Sequence, residues 1–302
     1  MNDILIANFY QFTRLDDLAA IQEKVKNCCE TNDVRGIVLL APEGINATIS
    51  GTPPGVMNVL NLLKSDPRFF ELTWKESTAE EQPFRKIRVR LKKEIITMGV
   101  PDVDPTQLSG TYVKPKDWNE LISDPNVIVI DTRNDYEVEI GSFKNAINPD
   151  IQSFGDFPQW LNDHIDASKQ PRVAMFCTGG IRCEKSTALL KQAGVREVYH
   201  LEGGILKYLE QIPEDQGLWT GQCFVFDQRV SVGHGLEAGE YELCRACRRP
   251  IHLSDKQSES YRKGVSCPHC HHQTTDNQKA RFAERQKQID LAKARGEDHF
   301  SD

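Results

Sequence analysis

The sequence of 302 residues has no apolar run long enough to cross a membrane, and its first residues lack the basic start and apolar stretch of a secretory signal. These absences predict a cytoplasmic protein with no membrane contact. The sequence also lacks a positive excess, because 37 Lys and Arg stand against 44 Asp and Glu and give a formal net charge of −7. Any nucleic-acid binding would therefore use local basic patches. No flavin, haem or non-haem iron motif is present in the sequence.

A disulfide framework is also not expected, although the chain has nine cysteines. A reducing compartment keeps thiols free unless they bind metal or react. The length and the 39% hydrophobic content are enough for sizeable cores and predict two or three domains. The order of predicted strands and helices described below makes the chain an α/β multidomain protein.

One stretch, from Arg172 to Leu190, carries the strongest chemical signal. A short apolar run is followed by a cysteine and two glycines and then by a helical apolar pattern, which predicts a strand, a tight loop and a helix. Loop amides, the helix dipole and the nearby Arg182 should lower the pKa of Cys177 below the roughly 8.5 of a free thiol. Cys177 is therefore the candidate nucleophile, with inert packing as the alternative. The predicted active loop continues through Thr178, Gly179, Gly180 and Ile181.

The loop from Cys177 to Arg182 has six residues and resembles the active loop of rhodanese domains, in which the first cysteine carries a persulfide. The similar loop of the cell-division-cycle type of phosphatase is one residue longer, so phosphatase activity is disfavoured. Cys183 has two interpretations that stay open. It could resolve an intermediate on Cys177, or it could be a small residue in the first helical turn.

The first hundred residues predict a ferredoxin-like α+β domain. Their order is strand, helix, strand, strand, helix, strand, which is the split pattern of that fold. The fourth strand is expected at Phe69–Lys75, and a further alternating strand at Ile87–Leu91. Cations cluster in and before the latter, which could contact phosphate or keep an edge strand soluble: Arg85, Lys86, Arg88 and Arg90.

The central region shows two more signatures that resemble the rhodanese family. A buried strand ends in Asp131-Thr-Arg133, and a Gly-x-Ile-x-x-Ala-x-Asn type of turn follows from Gly141, with Ser142 where the family usually has histidine. A closing strand and Gly-Gly turn occupy Val195–Gly204. A parallel α/β sheet is expected, with Cys177 at the carboxyl end of a strand, where ligands of such sheets bind.

The C-terminal segment contains two Cys-x-x-Cys pairs, which predict a tetrahedral zinc site. The alternatives are redox disulfides or a site that has lost its metal. A helix over 278–295 is expected to be basic and mostly solvated, compatible with RNA contact or with a soluble end. The four metal-ligand candidates are Cys244, Cys247, Cys267 and Cys270.

These motifs occur together with Glu43-Gly-Ile-Asn-Ala47, Phe176–Ser186 and Cys223-Phe-Val-Phe-Asp-x-Arg-Val. The whole resembles the bacterial rhodanese-domain family of oxygen-dependent tRNA uridine hydroxylases over nearly its full length. The resemblance implies 5-hydroxylation of the wobble uridine of tRNA, with tRNA as partner and molecular oxygen as co-substrate. A sulfurtransferase carrying a persulfide on Cys177 and a noncatalytic tRNA-binding adaptor are the alternatives. The predicted segments are a ferredoxin-like domain at 1–95, a linker at 96–112, a rhodanese domain at 113–218 and a zinc-binding segment with a basic tail at 219–302.

Overall fold

The structure, a computed structural model, describes residues 4–227 and 229–296, so the outermost parts of the predicted segments 1–95 and 219–302 lie outside it. Two compact units are present, one formed by Met1–Arg133 with Ile147–Ile205 and the other by Asn134–Ala146 with Leu206–Asp302. Within the described ranges no helix has both the length and the apolar character needed to cross a membrane.

The first unit begins with a five-stranded sheet in the order β4-β1-β3-β2-β5. The alternation of side chains along β1 explains its burial, because Leu5, Ala7 and Phe9 face a core shared with two helices. The first four strands are antiparallel and β5 joins β2 in parallel, which confirms the ferredoxin-like fold with one added edge strand. The elements are β1 Ile4–Phe12, α1 Leu18–Thr31, β2 Arg35–Ala41, β3 Gly44–Gly51, α2 Pro53–Lys64, β4 Lys75–Ala79 and β5 Ile87–Leu91.

The predicted strand Phe69–Lys75 is wrong. Pro67–Phe69 forms a 3-10 helix instead, and the strand starts only at Lys75. Proline at the first helical position and the Asp66 carboxylate, which accepts from the backbone N–H of Arg68, both favour a helical turn. Phe69 is buried in the core, so its aromatic character reflects core packing and not a strand.

The second part of this unit is a parallel sheet in the order β6-β10-β9-β7, which confirms the predicted rhodanese architecture. Met98 and Val103, from the predicted linker, are buried in its core. The parallel arrangement places the residue after β9, Cys177, at the carboxyl edge of the sheet. The strands and helices of this stretch of the chain are β6 Thr111–Val113, α3 Pro115–Ser123, β7 Val127–Asp131, α4 Asp135–Val138, β8 Gly141–Phe143, α5 Phe157–His164, β9 Arg172–Phe176, α6 Ile181–Gln192, β10 Val198–Leu201 and α7 Gly204–Gln211. Of these, α4, β8 and the part of α7 after Ile205 belong to the second unit.

The second unit is made of short strand pairs and a long C-terminal helix. The predicted tail helix is present at Asp276–Ala294, begun by a capping box between Thr275 and Gln278. Most of this helix is exposed, but Gln286 and Ala292 are buried. The remaining elements are β11 Trp219–Gly221, β12 Cys223–Phe224, β13 Ser231–Val232, β14 Glu242–Leu243, β15 Pro250–Ile251, α8 Leu253–Lys256 and α9 Asp276–Ala294.

Candidate active site and metal centre

Cys177 lies between the end of β9 and the start of α6, with only 1% of its surface exposed. The backbone N–H of Gly180 donates to its sulfur at 3.1 Å. Gly180 has φ of 108° and caps the helix, a left-handed conformation that suits glycine. The predicted order of strand, loop and helix therefore holds, and the loop directs N–H groups at the sulfur as the sequence indicated.

The electrostatic surroundings of Cys177 favour its thiolate. Burial alone raises its pKa, but a hydrogen bond from the Cys183 thiol, the charge of Arg182 and the backbone N–H groups of Cys183 and Gly180 together lower it to about 6. Arg182 is itself buried, with 6% exposure, so its charge is only weakly screened by water. The structure thus brings together the side chains of Cys177, Arg182 and Cys183, which the sequence analysis singled out.

Cys183 is the protonated partner in this pair. Burial, and next its hydrogen bond to Cys177, raise its pKa well above the ordinary thiol value. Its sulfur also lies 3.5 Å from the Thr132 hydroxyl oxygen. The thiol thus acts as a donor to Cys177, and a resolving role stays a prediction.

Beyond the sulfur, the Cys177 loop is packed closely against Gly204 but has free space beside Gly179. The backbone N–H of Ile205 donates to the Cys177 carbonyl at 3.0 Å. A side chain on Gly204 would lie 2.5 Å from that carbonyl oxygen, so only glycine permits the approach. Thr178 is buried. By contrast, apart from its chain neighbours no described atom lies within 4 Å of the position that a Gly179 side chain would take. The free space beside the loop is therefore at Gly179.

Sequence reasoning missed a cluster of two tyrosines and a glutamate beside the loop. The hydroxyl of Tyr10, from β1 of the ferredoxin-like sheet, donates to the Glu184 carboxylate at 2.7 Å, and the Tyr112 phenol also lowers the pKa of that carboxylate. A side chain on Gly180 would lie 2.6 Å from the Tyr10 hydroxyl oxygen. Glu184 lies within the motif Phe176–Ser186, but nothing in the sequence around Tyr10 indicated that its side chain would lie beside the Cys177 loop.

A buried ion cluster was missed as well. Lys185 has 1% exposure of its side chain and binds the carboxylates of Glu43 and Glu94 at 2.7 and 2.5 Å. Glu43 also accepts from the backbone N–H of Ile95. The cluster joins the start of α6 to the turn between β2 and β3, which gives the Glu43–Ala47 motif a structural role.

The four predicted metal ligands come together in the second unit. Their sulfurs all lie within 4.8 Å of one another, and the Cys267 sulfur is 3.7 Å from those of Cys247 and Cys270. Zinc–sulfur bonds of about 2.3 Å at tetrahedral angles require sulfurs about 3.8 Å apart. The residues present therefore fit a zinc ion.

The cationic segment runs along an exposed edge. Strand β5 is at the end of its sheet, and its alternation leaves Ile87 and Val89 partly buried. The four predicted tRNA-contacting cations are all exposed: Arg85, Lys86, Arg88 and Arg90.

Comparison with protein families matches both parts of the first unit. Residues 4–95 match a family described as UPF0176 acylphosphatase like domain, and residues 114–211 match the Rhodanese-like domain family. The two matches agree with the ferredoxin-like and rhodanese folds described above.

Full-length relatives are similar to the chain at high identity. A tRNA uridine(34) hydroxylase of Acaryochloris marina is 58% identical over 99% of this chain and 97% of its own length. A second, of Teredinibacter turnerae, is 55% identical over 100% of this chain and 94% of its own. A third, of Albidiferax ferrireducens, is 58% identical over 99% of this chain and 95% of its own length.

Proposed function

This chain belongs to the tRNA uridine(34) hydroxylase family, and on that premise we propose that it hydroxylates the wobble uridine of tRNA at C5, with Cys177 as the nucleophile. The observation that carries the assignment is the identity of 58% over 99% of the chain with a relative of that name. The low pKa of Cys177, about 6, supports the choice of nucleophile.

In the proposed reaction the Cys177 thiolate adds to C6 of the uracil. The new carbon–sulfur bond displaces the C5–C6 π electrons toward C5 and the O4 carbonyl, which makes C5 nucleophilic toward the oxygen co-substrate. Arg182 and the loop N–H groups are suited to hold the developing oxyanion. One atom of O2 becomes the C5 hydroxyl and the other leaves as water, which takes two electrons and two protons from an external thiol-class reductant. Loss of the C5 proton and departure of the Cys177 thiolate from C6 then restore the ring and the free cysteine.

The remaining parts of the chain have proposed roles outside the reacting atoms. The four cysteines hold a structural zinc ion, which would fix the fold around them. The basic edge, meaning Arg85, Lys86, Arg88 and Arg90, contacts phosphates of the tRNA. An enzyme that acts on one base of a folded tRNA needs such contacts away from the pocket. We place this activity in the cytoplasm.

Nucleoside mass spectrometry of tRNA tests the proposal in a strain that lacks its own hydroxylase of this kind. The wild-type chain should restore 5-hydroxyuridine or its derivatives, and Cys177→Ser should restore none while remaining folded. Cys28→Ser, which changes a thiol of the helix α1, is the matched control and should behave as wild type. Hydroxylation by Cys177→Ser would remove the cysteine mechanism. Absent hydroxylation together with fast thiosulfate turnover would favour the sulfurtransferase instead.

A further inference from the structure

The carboxyl group of Glu184, beside Tyr10 and Tyr112, lies where the active site disfavours a negative charge. Burial raises the pKa of Glu184, hydrogen bonds from Tyr10 and Tyr112 lower it, and the nearby Cys177 thiolate raises it again. A carboxylate beside a thiolate destabilises both anions. Natural sequences accept such local conflicts mainly at functional sites, so this carboxylate is expected to serve the reaction.

The position of the cluster is set by the two faces of β1. Leu5, Ala7 and Phe9 face the core under the helices, so Tyr10 and Phe12 point to the opposite face. There they pack with Ile181, the first residue of α6. The ferredoxin-like sheet thereby places a phenol against the Cys177 loop at Gly180, the residue after the open position at Gly179.

The cluster and the loop offer opposite hydrogen-bonding groups. The Tyr10 hydrogen is used on Glu184, so the remaining lone pairs of that carboxylate and of the Tyr10 oxygen are acceptors. The loop presents N–H groups and the Arg182 guanidinium. Uracil carries an N3–H donor between two carbonyl acceptors, whereas cytosine has an acceptor at N3 and an amino donor at C4.

We propose that Glu184, held by Tyr10, recognises the uracil by accepting its N3–H, while the loop donates to an adjacent carbonyl oxygen. Cytosine in the same place would set its N3 lone pair against the carboxylate. Glu184 is then a specificity-determining residue, and Tyr10 positions it. The inference rests on the proposed uridine substrate and adds to it the residue that selects the base.

Binding of anticodon stem–loop RNA to the full chain tests this selection. The wild-type chain should bind RNA with uridine at position 34 about 10- to 100-fold more tightly than RNA with cytidine or 3-methyluridine there, the range for a hydrogen bond to a charged group. Glu184→Ala should lose this preference, because it weakens the uridine complex and removes the lone-pair repulsion from the cytidine complex. Glu184→Gln keeps an acceptor oxygen and should retain part of the preference. Tyr10→Phe should weaken uridine binding severalfold.

The matched control is Tyr199→Phe, because the Tyr199 hydroxyl donates to Glu197 at 2.9 Å in a similar pair that is exposed. It should leave both complexes unchanged. Affinity for the cytidine RNA reports on folding, since it depends mainly on the phosphate contacts and should not fall in any variant. Hydroxyuridine in cellular tRNA, measured with the same variants, should fall in parallel with the uridine preference.

Three results would overturn the inference. The first is a wild-type chain that makes hydroxyuridine in cells but binds all three RNAs equally. The second is Glu184→Ala with its preference intact, and the third is Glu184→Gln as defective as Glu184→Ala, which would indicate proton transfer and not recognition. A wild-type chain that forms no hydroxyuridine overturns the proposed function, and the uracil selection with it.

Discussion

The charge state of Cys177 is the property on which the proposed chemistry most depends, and it can be measured directly. With a pKa of about 6, about 90% of this thiol is ionised at pH 7, against about 3% for an ordinary thiol of pKa about 8.5. The intrinsic reactivity of a thiolate falls with its pKa, by about tenfold over this difference. The net advantage in alkylation is therefore about threefold at pH 7 and about 20-fold at pH 5.5.

Iodoacetamide alkylation, followed by peptide mass spectrometry, reports each cysteine separately. The rate at Cys177 should rise with pH through a midpoint near 6. Cys28 is an internal control, because burial raises its pKa. Hydroxylation should follow the same titration and be lost below the Cys177 midpoint, since protonation removes the nucleophile.

Substitutions of the neighbours test the physical cause. Cys183→Ala removes the thiol donor and should raise the Cys177 midpoint, and Arg182→Gln should raise it by removing a cation. Cys183→Ser keeps a donor and should change it least. A Cys177 midpoint at or above that of Cys28 would refute the reasoning, because the loop would then not stabilise the thiolate.

Three further predictions concern the rest of the chain. Protein purified without chelator should hold about one zinc ion per chain by elemental analysis, and a content near zero with free thiols at Cys244, Cys247, Cys267 and Cys270 would contradict the metal site. Lys185→Met should lower the free energy of unfolding by about 3–5 kcal/mol in urea titrations, because two carboxylates lose their counter-charge. The control Lys191→Met, on the same helix, should lower it by about 0.5 kcal/mol or less. Equal losses in the two variants would show that the buried cluster contributes little to stability. Neutralising the basic edge, Arg85, Lys86, Arg88 and Arg90, should weaken tRNA binding. The slope of log binding constant against log salt concentration should become shallower by about 0.7–0.9 for each phosphate that is no longer bound. An unchanged slope would exclude that edge from the interface.

The sequence by itself determined the features that depend on neighbours along the chain. The loop after Cys177 and the two Cys-x-x-Cys turns were predicted because each places its functional groups within a few residues of one another, so spacing alone fixes their geometry. The parallel sheet followed from the alternation of strands and helices in the central region. The strand expected at Phe69–Lys75 failed because local aromatic content does not distinguish a strand from a helical turn that buries its phenylalanine.

Only the tertiary structure decided what surrounds the loop. Tyr10 and Glu184 are separated by 174 positions in sequence, and Lys185 meets Glu43 across 142. Such contacts arise where one sheet packs against the first turn of a helix from another, and no local periodicity encodes which side chains will face each other there. A tyrosine in a half-buried strand has the same pattern whether it faces solvent or an active site. The proposed nucleophile was therefore predictable from the sequence, while the groups proposed to select its substrate became evident only once the two sheets were in place.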